Sequence, residues 1–263
     1  MNLNSPLERH LEVFDKENKM IVELINKSDV NPDNICGAAA SLCYNGNNKE
    51  RSLNHAIETH HDSVTEHAYF TFKISGVSSS LLAQLTRHRF FSFSVQSERY
   101  CGASPEYVTP HSIENNPEAL ELWEATIEMI HEAYDCLVNV HNIPKEDARM
   151  IREKATAYNL IATANSRELM HFFELRCCSR AQWEINELAR NMLACVKVVA
   201  PITFKNAGAH CERFGFCPEG DKCCGKALTY ETAKQIYYLL DHYIYEDYAA
   251  LYDRLGKMFN KQL

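Results

Sequence analysis

The chain has 263 residues, 46% hydrophobic and 24% charged, enough for one sizeable core. Its 27 Lys and Arg against 35 Asp and Glu leave a net charge of −8, which argues against a general nucleic-acid or membrane-surface binder. No apolar run approaches the roughly 20 residues that cross a bilayer. Met1–Pro6 shows no basic-then-apolar leader, so the cytoplasm is the expected location.

Residues 7–27 read as an amphipathic helix with Leu11, Phe14, Ile21, Leu24 and Ile25 on its apolar face. Helices are also expected over 33–44 and 49–60. Residues 67–75 alternate, with Phe70, Phe72 and Ile74 on one face and Tyr69, Thr71 and Lys73 on the other, which predicts a half-buried strand. Ser78–Ser80 then introduce a short helix through Leu81, Leu82 and Leu85, and 91–97 alternate again. A long helix is expected over 117–141, and Pro144 opens another. Tyr158–Thr163 fits either a strand or a helix. Asn165 with Glu168 makes a capping-box-like start for a helix to about Arg176. Further helices are expected over 180–199 and 230–257. The sum is an α+β fold: long helices packed around a small, mainly antiparallel sheet, in a single domain over 1–263.

Eleven cysteines, an odd number, argue against a pure disulfide scaffold. Cys36, Cys43, Cys101, Cys136, Cys177, Cys178 and Cys195 sit in regular-looking segments and read as small buried hydrophobes. Cys211, Cys217, Cys223 and Cys224 fall in a turn-rich loop at 210–226 beside His210. Their spacing lacks a C-x-x-C pair, so packing or free thiols are expected there rather than metal. The run His60-His61 to His67 is likewise a poor chelating pattern, because adjacent residues seldom share a face.

Arg87-His88-Arg89 gathers three basic groups after a helical apolar pattern. It is either a solvated helix end or an anion site, since guanidinium forks suit phosphate. The polar row Ser92, Ser94 and Gln96 beside it could line a hydrogen-bonding ligand or be the outer face of an edge strand. Arg176 shares an apolar face with Leu169 and Phe172, and a cation there needs a partner or a route to water.

Arg87-His88-Arg89, with Ser92, Ser97 and Arg99 after it, resembles the signature of the flavin-dependent thymidylate synthases. The likeness continues through His60–His67 and through Asn165-Ser166-Arg167 to His171 and Arg176. It departs at Ser94, at Val95, where relatives often carry a polar side chain, and at Arg152-Glu153-Lys154.

The resemblance implies that Ser63, Arg87, His88, Arg89, Val95, Asn165, Ser166, Arg167 and His171 hold FAD, with His61 and Glu66 as further candidates. It implies that Gln84, Arg87, Val95, Gln96, Ser97, Glu98, Arg99, Arg149 and Arg176 bind dUMP, with Arg176 activating the uracil ring. Ser97 is an orienting group, since no local His or Asp is placed to activate it. The implied reaction is reductive methylation of dUMP to dTMP. Methylenetetrahydrofolate is the carbon donor, NADPH is the reductant, and the sites lie at the subunit interfaces of a homotetramer. Two other readings are another FAD-dependent nucleotide-binding oxidoreductase and a single-stranded RNA-binding module that stacks bases on Phe90, Phe91 and Phe93.

Overall fold

The computed structural model describes residues 11–14, 20–102 and 104–235. The elements in chain order are β1 (Leu11–Phe14), β2 (Ile21–Lys27), α1 (Asp33–Cys43), α2 (Lys49–Glu58), β3 (Tyr69–Ser78), α3 (Ser79–Leu85), β4 (Ser92–Val95) and α4 (Glu98–Cys101). They continue with α5 (His111–Glu114), α6 (Pro117–Asp135), α7 (Lys145–Ala148), β5 (Ala157–Asn165), α8 (Ser166–Arg176), α9 (Trp183–Val199) and α10 (His210–Phe214). A two-residue parallel pair, β6 (Phe216–Cys217) with β7 (Leu228–Thr229), closes the described part. The main sheet has the order β1-β2-β3-β5-β4 and is antiparallel throughout. The fold is α+β, as the sequence implied.

Where the sequence predicts a helix over 7–27, the described residues form two antiparallel strands instead. Leu11, Phe14, Ile21, Leu24 and Ile25 fit a helical period. Met20, Val22 and Leu24 also alternate, and all three are buried. Ile21, Val22 and Ile25 are β-branched, and β3 offers β2 a full hydrogen-bonded edge, so tertiary pairing decides the outcome. The open choice at Tyr158–Thr163 resolves the same way. That run is the middle of β5, flanked by β3 on one side and β4 on the other.

The alternation of β3 holds, with Phe70, Phe72 and Ile74 fully buried. Their inner face packs against α8 and α9, which contribute Leu169, Phe172, Phe173, Ile185, Leu188 and Met192 to one continuous core. Helix α6 covers most of the expected 117–141 and ends in a π-turn at Cys136–Val140. Helix α9 starts at Trp183 rather than at 180, because the Gln182 side chain accepts from the Ile185 N–H at 3.2 Å and caps it there. In the expected helix over 230–257, residues 230–235 are helical and the remainder lies outside the described residues.

Two buried carboxylates tie distant segments together. Asp33 accepts from the Ile202 and Thr203 N–H groups, both at 2.9 Å, and from the Thr203 hydroxyl at 2.6 Å. Glu184 accepts from the Ser78 N–H at 2.6 Å and the Ser78 hydroxyl at 2.5 Å. Ser78 in turn caps α3 by accepting from Leu81 N–H. Glu184 thereby fixes where α3 starts, and so where the basic loop after it emerges.

Of the seven cysteines expected to be buried, Cys36, Cys177 and Cys195 are. Cys178 is half-buried, and Cys43, Cys101 and Cys136 are exposed, because each of these three falls on the outer side or end of its helix.

Candidate active site

Helix α3 is short and ends at Leu85, so Thr86 to Phe90 form a tight turn before β4. Arg87 and Arg89 are exposed on this turn while His88 points inward and is buried. The His88 ring lies against Phe172 at 4.9 Å and Phe91 at 6.0 Å, with His171 at 6.2 Å.

Arg176, at the C-terminus of α8, meets the turn from the other side. Its Nε donates to His88 Nε2 at 3.1 Å, and its Nη2 donates to the Gln84 carbonyl at 3.4 Å. An imidazole nitrogen that accepts cannot carry a proton, so His88 is neutral with its hydrogen on Nδ1. Burial, then the Arg176 and His171 charges, push the His88 pKa down to about 4, which agrees. Glu168 lies 3.6 Å from His88 Nδ1, and with a neutral ring that contact is not an ion pair. Burial raises the Glu168 pKa, partly offset by His171. Burial and then the neighbouring Arg87 lower that of Arg176.

Arg176 therefore has no carboxylate partner, and neither do Arg87 and Arg89, among the described residues. Elsewhere Arg99, Arg152, Arg167, Arg180, Arg190 and Arg213 are each ion-paired. Two guanidinium groups on one turn, with a third reaching His88 from the end of α8 and none with a counter-charge, make a site for an anionic ligand. The residues present thus fit phosphate-bearing ligands, a flavin dinucleotide or a nucleotide.

The second part of the expected flavin site lies at the Asn165 end of β5. Asn165 Oδ1 caps α8 by accepting from Glu168 N–H at 2.9 Å. Arg167 is exposed and pairs with Glu66, on the 3-10 turn Asp62–His67 that also carries exposed Ser63. Arg213 is almost fully buried and bridges this turn to α8, through Asp62 at 2.5 Å and through Glu174. Ser166 is not presented to this surface. It is fully buried, and its hydroxyl donates to the Ala68 carbonyl at 3.4 Å.

The third part lies along β4 and beyond. Ser92, Ser94 and Gln96 are exposed, and Gln96 Oε1 accepts from Asn159 Nδ2 at 3.0 Å. The Val95 side chain is 37% exposed. Ser97 precedes α4 with its hydroxyl free of any cap bond. Glu98 hydrogen-bonds the Tyr158 hydroxyl and, after burial, is what raises the Tyr158 pKa to about 12. Arg99 binds Glu146 Oε2 with both Nε at 2.9 Å and Nη2 at 2.7 Å. Arg149 Nε donates to the Glu146 carbonyl at 3.1 Å.

Glu146 thus joins two predicted arginines that are 50 positions apart, and sequence reasoning missed it. Its spacing of three from Arg149 on a helical turn was the available signal. Gln84 meets a second missed residue, Gln182, at 3.5 Å.

Within one chain the predicted residues form separate clusters. Tyr158, beside Glu98 and Arg149, and Asn165, beside Arg167, sit at opposite ends of β5, roughly 23 Å apart at the rise of an extended strand.

An α+β chain that presents unpaired arginines around a neutral buried histidine defines a binder of anionic, nucleotide-like ligands. The comparisons give the family. Residues 23–202 match the family model described as thymidylate synthase complementing protein. The chain is 41% identical over 211 residues to the flavin-dependent thymidylate synthase of Geobacter sulfurreducens, covering 74% of this chain and 90% of that one. It is 44% identical over 179 residues to that of Nitratidesulfovibrio vulgaris, covering 65% and 73%. With the enzyme of Pyrococcus furiosus the identity is 40% over 184 residues, covering 66% and 75%. The chain belongs to the flavin-dependent thymidylate synthase family. That membership leaves the RNA-binding and general-oxidoreductase readings without support.

Proposed function

We propose that this chain forms dTMP from dUMP, with methylenetetrahydrofolate as the one-carbon donor, FAD as the cofactor and NADPH as the reductant. The observation that carries the reading is Arg176, a half-buried cation without a carboxylate, aimed by a neutral histidine.

A guanidinium has five N–H donors, and His88 and the Gln84 carbonyl occupy two of those on Arg176. The others are left for the pyrimidine, where the fixed charge stabilises negative charge as C5 becomes electron-rich. A preorganised donor in a dry site contributes on the order of 3 kcal/mol to such a step. Arg87 and Arg99 hold nucleotide phosphate, with Gln84, Gln96, Ser97, Glu98 and Arg149 orienting the base and sugar. Val95 contributes through its backbone. His88, Arg89, Asn165, Arg167, His171 and Ser63 hold the flavin, which when bound supplies hydride chemistry that no side chain offers. Ser166 supports this surface from beneath.

Sites shared between chains of a homotetramer are part of the proposal. The separation of the clusters along β5 supports it. So does α6, which buries only Ile127 and Tyr134 while Leu122 and Met129 stand 70% and 64% exposed. Sedimentation of the purified protein as a monomer at assay concentration would reject it. No described helix is long and apolar enough to cross a membrane, and we assign the chain to the cytoplasm with its thiols reduced.

The test is product formation from dUMP, NADPH and methylenetetrahydrofolate with flavin present and with flavin stripped. We expect dTMP only with flavin. No dTMP, or equal dTMP without flavin, would reject the function.

A further inference from the structure

The cysteine loop plays no part in the proposed chemistry, yet it is docked on the elements that do. Arg213 of α10 ties it to α8. Arg180 adds a contact to Glu219 at 3.5 Å and donates to the Lys222 carbonyl at 3.2 Å. Cys178, Cys211 and Cys217 line one cavity of about 390 Å³ with His171, Arg176 and Glu219.

Two thiols of this loop face each other. Cys217 is buried at the end of β6, and its thiol lies beside that of Cys223, which is half-buried. Each sulfur also receives a backbone N–H from two residues further on. Cys217 accepts from Glu219, and Cys223 accepts from Gly225 at 3.4 Å. The Glu219 N–H favours a thiolate on Cys217, but burial and the neighbouring Cys223 outweigh it, so the Cys217 thiol pKa is raised and this sulfur is held as a thiol until a reaction partner arrives. The Cys223 thiol donates to the Ala227 carbonyl at 3.3 Å, two residues before Thr229, the β7 residue that pairs with Cys217. Among the described residues no three His, Cys, Asp or Glu side chains stand where they would hold a metal ion. What the cluster offers is pairwise sulfur chemistry.

We propose that Cys217 and Cys223 are a reversible dithiol–disulfide pair, oxidised by low-molecular-weight disulfides, which staples one wall of the cavity at Arg176. Cys223 is the more accessible of the two and attacks first. Its thiolate displaces one thiolate from the small disulfide and forms a mixed disulfide. The Cys217 thiolate then attacks the Cys223 sulfur, closes the Cys217–Cys223 bond and releases the second small thiolate. Two protein thiols lose two electrons, the small disulfide gains them, and the two protons end on the two released thiols. Pro218 and Glu219 lie inside the closed ring and line the same cavity as Arg176, so the bond limits how far that wall can move.

The test uses the full chain equilibrated with glutathione disulfide, quenched by alkylation and mapped by mass spectrometry without reduction. We expect a Cys217–Cys223 linkage, two hydrogens lighter than the dithiol, that dithiothreitol reverses. Cys223→Ser should abolish it and Cys211→Ser should leave it unchanged. Both thiols still alkylated after oxidation would overturn the proposal. A linkage of Cys217 to Cys211, or thiols masked until a chelator removes a bound metal ion, would overturn it as well.

Discussion

Arg176 Nε donates to His88 Nε2 at 3.1 Å, so a buried neutral imidazole serves as the rest for a half-buried cation that has no carboxylate partner among the described residues. The bond makes a checkable claim about His88. Replacing it by Ala removes the acceptor and frees the guanidinium to rotate. Losing a group that orients a functional residue typically costs about 10- to 100-fold. We expect kcat to fall by roughly that factor in His88→Ala, with His88→Gln recovering part of it through its amide oxygen. Steady-state kinetics of both variants against wild type will show whether kcat moves; equal kcat in all three would remove His88 from the account.

The same residue sets a pH dependence of stability. In the folded chain its pKa lies near 4, against 6.5 for the free side chain. Between these values the unfolded chain binds the proton and the folded one resists it. Stability from this group is therefore complete above about pH 6.5 and is lost as pH falls toward about 4. The difference corresponds to roughly 3 kcal/mol. Urea denaturation across this range should show the loss in wild type and a flatter profile in His88→Gln.

Arg99 and Glu146 are each about half exposed, so their pair adds little to stability, about 1 kcal/mol at most. If Arg99 holds phosphate, Arg99→Ala should raise KM for dUMP by roughly tenfold or more while the melting temperature barely moves. A large drop in melting temperature with unchanged KM would make Arg99 a structural residue instead.

Glu184 is buried and carries both bonds to Ser78. Glu184→Ala leaves the Ser78 N–H and hydroxyl without that partner inside the core. We expect a loss of about 3 kcal/mol in chemical denaturation. A change below about 0.5 kcal/mol would show that α3 is anchored by other means.

Much of the fold was legible because its signals are local. The alternation through Phe70, Phe72 and Ile74, and Asn165 capping Glu168, depend only on neighbours in the chain. The N-terminal strands were not, since Leu11, Phe14, Ile21, Leu24 and Ile25 satisfy a helical period equally well, and β3, nearly fifty residues on, decides between them. The site divides in the same way. The motif around Arg87 and the block ending at Arg176 could be read from residue types. That His88 and Arg176 touch, that Glu146 joins Arg99 to Arg149, and that Ser166 turns inward are consequences of packing between segments far apart in sequence. The exposed Cys43, Cys101 and Cys136 show the same limit, because burial of a small residue depends on which side of its helix is covered.

The central claim is that Arg176 activates the pyrimidine of dUMP in a flavin-dependent reaction. Tritium release from 5-tritiated dUMP with NADPH, FAD and methylenetetrahydrofolate, by wild type and by Arg176→Ala with its bound flavin quantified by absorbance, tests it most directly. We predict release by wild type, none by the variant, and flavin bound in both. Full release by a flavin-loaded Arg176→Ala protein, or none by wild type, would contradict it.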